Sequence, residues 1–97
     1  MLDNLTVEDF QSLEGREVQL RFGDHAEAAR VLSTRQGKSV PEGHRLPFSL
    51  ILRAGTGERY WPQGTYVFVH PRHGELELFM VPIGPDEQGM RYEISFS

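Results

Sequence analysis

Thr65-Tyr66-Val67-Phe68-Val69-His70-Pro71-Arg72-His73-Gly74-Glu75-Leu76-Glu77-Leu78-Phe79-Met80-Val81-Pro82-Ile83 decides the fold. From Thr65 to His70 the side chains alternate at a period of two, Tyr66 and Phe68 on one face, Val67 and Val69 on the other. Pro71-Arg72-His73-Gly74 is a tight-turn sequence. Beyond it the alternation resumes, with Leu76, Leu78 and Met80 opposite Glu75, Glu77, Phe79 and Val81. Two alternating runs about one short turn are a β-hairpin.

The same period extends outward in both directions. Met90, Tyr92, Ile94 and Phe96 alternate with Arg91, Glu93 and Ser95, after a polar loop expected over 84–89. Phe48, Leu50 and Leu52 alternate with Ser49, Ile51 and Arg53, with Pro47 at the strand start, where proline is tolerated. Val18, Leu20 and Phe22 alternate with Glu17, Gln19 and Arg21. Residues 26–35 are ambiguous, because their alanines favour helix, while Val31 and the flanking turns favour a strand paired with 17–22. Strand is the reading taken. Loops are expected over 36–44 and 54–64, both rich in Gly and Pro.

Residues 1–15 read as a helix. Thr6 is a good N-cap, with Glu8 and Asp9 in the first turn, where the helix dipole favours negative charge. Leu5 and Phe10 have the spacing of a hydrophobic staple, and Gly15 is a helix stop. The expectation is an all-β domain, residues 1–97, with an N-terminal helix over 1–15 and six antiparallel strands over 16–97. Such a sheet buries its one apolar face by closing into a barrel or a strongly curled meander, which also removes its edges. A two-sheet β-sandwich is the alternative.

Composition excludes several function classes. Ninety-seven residues suffice for one modest core. No apolar run approaches the ~20 residues of a membrane-spanning helix, and the N-terminal stretch has no signal-peptide character, so a cytoplasmic protein with no membrane contact is expected. Cys is absent, which removes disulfides, thiol nucleophiles and thiolate metal sites. A net charge of −4 argues against a nucleic-acid partner. Arg21, Arg30, Arg35 and Arg53 lie on strands and can share an outer face, read as a solvated face paired with Glu17, Glu27 and Glu93.

Few residues suggest chemistry. No nucleophile elbow or phosphate loop occurs, so no catalytic residue and no cofactor is assigned. Gly55-Thr56-Gly57 reads as a turn. The carboxylate pairs Glu75/Glu77 and Asp86/Glu87 read as solvated. His70 and His73 flank the hairpin turn, and with Glu75 they are the one candidate metal set, against the plainer reading of a polar turn. Tyr60, Trp61 and Gln63 are the candidate partner-binding residues, since Trp and Tyr in a loop are enriched at protein interfaces. Trp61 has a second reading, as a lid folded back over one end of the core. The leading expectation is a non-enzymatic module for a protein partner or for self-association. The alternative is a ligand- or metal-binding barrel, conceivably an enzyme, using His70, His73 and Glu75.

The segments PFSLILR (47–53), PQGTYVFVHPRHGELELFMVPIGPD (62–86) and YEISF (92–96) form a recognisable pattern, and LTVEDFQSLEGREVQL (5–20) accords with it. Its recurrent elements fall on Pro47, Phe48, Gln63, Gly64, Tyr66, His70, Gly74, Phe79, Pro82, Gly84 and Pro85. On these residues the chain resembles a family of small bacterial proteins of unknown function. The resemblance implies an accessory role in a surface or phage-tail-like assembly, since such proteins are often encoded beside tail-collar-like ones. It implies no catalytic residue.

Overall fold

The computed structural model describes residues 5–37, 46–55 and 60–96. One short helix, α1 (Val7–Gln11), precedes six strands: β1 (Glu17–Phe22), β2 (His25–Gln36), β3 (Phe48–Ala54), β4 (Gly64–His70), β5 (Gly74–Asp86) and β6 (Gly89–Phe96). All pairings are antiparallel, and the sheet closes into a barrel in the order β1-β2-β3-β6-β5-β4. The barrel expectation holds, and the sandwich alternative does not. Two three-stranded meanders, β1-β2-β3 and β4-β5-β6, are joined along two seams. The β3/β6 seam carries seven residue pairs, from Phe48↔Phe96 to Ala54↔Met90. The β1/β4 seam carries three, from Gln19↔Val69 to Arg21↔Val67.

Closure explains the alternation. A six-stranded barrel is too narrow to leave a lumen once its inward side chains are in place. Leu20, Val31, Leu50, Leu52, Phe68, Leu76, Met80, Tyr92 and Ile94 fill it, each fully buried. The ambiguous run is strand after all, two residues longer than expected. Its inward Ala29 sits between Val18 of β1 and Ala54 of β3 in one row of the sheet, so small side chains fit the narrow interior there and overrule helix propensity.

Two boundaries differ from the sequence reading. The helix is one and a half turns, not fifteen residues. After Gln11 the chain enters turns, and by Gly15 it is already bound to the sheet, with Gly15 N–H donating to Val31 O at 2.8 Å and Val31 N–H to Arg16 O at 3.0 Å. Glu14 fixes this segment by accepting from the Thr34 N–H at 2.8 Å and the Thr34 hydroxyl at 2.7 Å. Residues 1–4 of the expected helix lie outside the described residues. The second difference is the expected loop 84–89, most of which is strand. β5 continues through Gly84-Pro85-Asp86 to a two-residue turn. A bulge between Pro82 and Gly84 makes this possible, since Ile83 has no opposite residue on β6 and Gly84 takes a φ of 112° that favours glycine. Of the expected loops over 36–44 and 54–64, residues 38–44 and 56–59 lie outside the described residues; residues 37, 55 and 60–63 connect strands as expected, whereas Gln36, Ala54 and Gly64 belong to strand ends.

Candidate functional site

The barrel is plugged at both ends, and the sequence-predicted residues divide between the plugs. At one end lies α1. Phe10 is fully buried and its ring contacts Phe96 at 5.2 Å, Phe68 at 5.6 Å, Phe48 at 5.9 Å and, edge-on, His70 at 5.3 Å. Helix and barrel are joined by polar groups. The N3 residue Asp9 turns back to accept from the Thr6 N–H at 2.8 Å and the Thr6 hydroxyl at 3.3 Å, which caps the helix. Its backbone carbonyl meets Nε2 of His70 at 2.8 Å.

His70 is only 3% exposed. Its Nδ1 accepts from the Arg72 N–H at 3.0 Å and the His73 N–H at 3.2 Å, so Nε2 carries the proton and donates to Asp9 O. One neutral imidazole thus closes the β4–β5 turn and holds the helix. Nε2 of His73 is buried without an aligned hydrogen bond and lies 3.0 Å from Asp9 Oδ1. Burial opposes ionisation of Asp9. The His73 ring and the Thr6 N–H and hydroxyl outweigh it, holding the carboxyl below the usual aspartate range.

Glu75 leaves this cluster and pairs with Arg21 at 2.5 Å on the outer wall. The structure brings His70 and His73 together, but with Asp9 rather than Glu75. Both nitrogens of His70 are occupied by backbone groups. Among the described residues no three His, Asp or Glu side chains converge in a way that could hold a metal ion. Asp9 was missed from sequence because it reads there as a helix-dipole residue 61 positions from His70.

At the other end Trp61 lies flat on Phe22, the rings 4.2 Å apart and 5° from parallel. Its N–H donates to the Tyr92 hydroxyl at 2.9 Å, and its indole Nε1 to Glu27 at 3.2 Å. The Tyr66 hydroxyl donates to Pro62 O at 2.7 Å. Of the two readings of Trp61, the geometry is that of the lid. Burial, and then the nearby Glu27 and tyrosines, raise the Tyr92 hydroxyl above the usual tyrosine value against the Trp61 N–H, which favours the phenolate.

Tyr60 and Gln63 remain exposed beside the lid. Large apolar side chains standing well out among the described residues are Tyr60 at 58%, Phe79 at 51% and Ile83 at 39%. Phe79 and Val81 occupy the outward face of β5, and the bulge adds Ile83. Gly64, the residue after Gln63, pairs with Met80 between Phe79 and Val81. The Tyr60–Gln63 segment therefore approaches the sheet beside this apolar stripe. The signal for the stripe was legible in the alternation, which set Phe79 and Val81 opposite the core.

No helix among the described residues is long and apolar enough to cross a membrane. No curated protein and no solved structure matches the chain. Residues 5–96 match a family described as a domain of unknown function, DUF6916, and with nearly all of its length covered the chain belongs to that family.

Proposed function

We propose that this domain is a protein-binding module whose docking surface is the outer face of β5, flanked by Tyr60 and Gln63. One observation carries the reading: Phe79 and Ile83 stand exposed on β5 with Val81 between them, and the segment that carries exposed Tyr60 leads into β4, the strand paired with β5. Core side chains fill the interior and both barrel ends are plugged, so recognition is assigned to the wall. Trp61 supports the surface from behind by fixing the Tyr60–Gln63 segment. The assembly suggested by the sequence resemblance, surface or tail-like, is the proposed setting.

The test is a photo-crosslinking amino acid placed at position 79, 83 or 33 of the full chain in its native cell. Ser33 is exposed on β2, away from the stripe. Discrete adducts are expected from 79 and 83 and not from 33. Adducts equal at all three positions, or none at 79, would overturn the assignment.

A further inference from the structure

The barrel register brings three arginines into one row. Arg30 of β2 faces Arg53 of β3, and Arg53 faces Arg91 of β6. Like charges directly opposite each other in neighbouring strands destabilise a sheet. Two strand spacings separate the outer pair, roughly 10 Å. The row ends at Glu17 on one side and at Gly84 on the other.

Local groups absorb part of this charge. Arg53 pairs with Asp86 at 3.4 Å and donates to Gln88. Asp86 also accepts from the Gln88 N–H at 2.8 Å and the Gly89 N–H at 2.9 Å, so it is committed to the β5–β6 turn. The flanking arginines have backbone acceptors: Arg30 donates to Gly15 O at 2.5 Å, and Arg91 Nε to Gly84 O at 3.3 Å. No carboxylate among the described residues lies within ion-pair distance of either. A shallow hollow of about 180 Å³ opens between Arg30, Arg53, Gln88 and Gly55, with Glu17 at its edge.

The row begins where the apolar stripe ends, since Arg91 pairs with Gly84, the residue after Ile83. We propose that the Arg30–Arg53–Arg91 row receives acidic side chains of the protein segment that docks on β5. This inference rests on the docking reading above and names the chemistry of its partner. Guanidinium forks match carboxylate geometry. A long polyanion suits the site less well, because the chain carries −4 overall and Glu17, Asp86 and Glu93 border the row.

The probe is an acetylated triglutamate amide, titrated at low salt into the isotope-labelled full chain while amide chemical shifts are followed. Shifts centred on Arg30, Arg53 and Arg91 are expected, weakening as salt is added. Arg30→Gln with Arg91→Gln should weaken binding roughly fivefold. Arg35→Gln with Arg72→Gln, which removes the same charge elsewhere, should leave it nearly unchanged. Shifts centred elsewhere in the unmodified chain, or equal losses in both double variants, would overturn the proposal. So would tighter binding of inorganic phosphate or a short single-stranded oligonucleotide at the row. Phe79→Ser with Ile83→Ser should leave triglutamate affinity intact, so failure of the docking surface and failure of the arginine row are read separately.

Discussion

The two ends of this barrel solve one problem with different chemistry. Each must cover apolar side chains that strands alone leave open to water. At the helix end a phenylalanine is driven into the core and locked by polar groups: Asp9, His70 and His73. At the lid end a tryptophan lies across the mouth on Phe22, held by Tyr92 and Glu27. The first plug is fully enclosed and the second is only partly buried. The lesson concerns where function can reside. A plug that is a core element must stay in place for the barrel to persist, whereas a lid packed on the rim can be trimmed and still leave a folded wall.

That difference is measurable. Phe10→Ala should cost about 4 kcal/mol in urea unfolding, the range for emptying a fully buried phenylalanine site. For a domain of this size such a loss approaches the whole stability. Trp61→Ala should cost about 2 kcal/mol, because the ring is only partly buried and part of its contribution is the stacked pair. It should leave the far-ultraviolet circular dichroism of the barrel unchanged. Equal losses at the two positions would break the contrast between core plug and rim lid.

The strands were legible because closure leaves each with one wet face and one dry face, and that prints a period of two into the residues. β6 is the clearest case. What local pattern could not show was who meets whom across the barrel. Asp9 and His70 are joined only because β4 ends beneath α1. The arginine row exists only because β3 pairs with β6, a non-consecutive strand. The 84–89 error has a related cause. Gly84-Pro85 looks like a loop, yet the bulge at Ile83 lets this Gly-Pro pair continue the ladder opposite Arg91 and Met90. The candidate site followed the same rule. Trp61 was visible as a partner-binding residue or a lid, but the choice between them depended on Phe22 and Tyr92, which come from other strands.

The pH responses sharpen the comparison further. Asp9 ionises below its ordinary value of 3.8 in the folded chain. A carboxyl with a depressed folded pKa adds stability that is fully present above its unfolded value and is lost as pH falls through the folded one. The helix end should therefore weaken in acid, below about pH 4. Asp86, at the β5–β6 turn, shifts in the same direction, through the Gln88 N–H first and Arg53 thereafter. Asp9→Asn isolates the helix contribution. It should cost about 1 kcal/mol at neutral pH, as for loss of a helix cap, and flatten part of the acid limb of stability against pH. An unchanged acid limb would mean that Asp9 does not hold the plug.

The lid responds at the opposite extreme and by a smaller amount. The Tyr92 hydroxyl titrates above its ordinary value of 10.0, mainly because it is buried. A raised folded pKa gives stability fully present below the unfolded value and lost as pH rises through the folded one. Alkali should thus strain the rim while Asp9, already ionised, is indifferent. The chain has one tryptophan, whose backbone N–H is bonded to this hydroxyl and whose ring lies on Phe22, so its fluorescence reports the lid directly. Above about pH 10 the emission should shift to the red, before the far-ultraviolet signal changes. Tyr92→Phe removes both the titrating group and the acceptor for the Trp61 N–H, at a cost of about 1 kcal/mol. It should abolish the early red shift while leaving global alkaline unfolding in place. If the shift persists in Tyr92→Phe, another group releases the lid in alkali and the Tyr92 hydroxyl is not its switch.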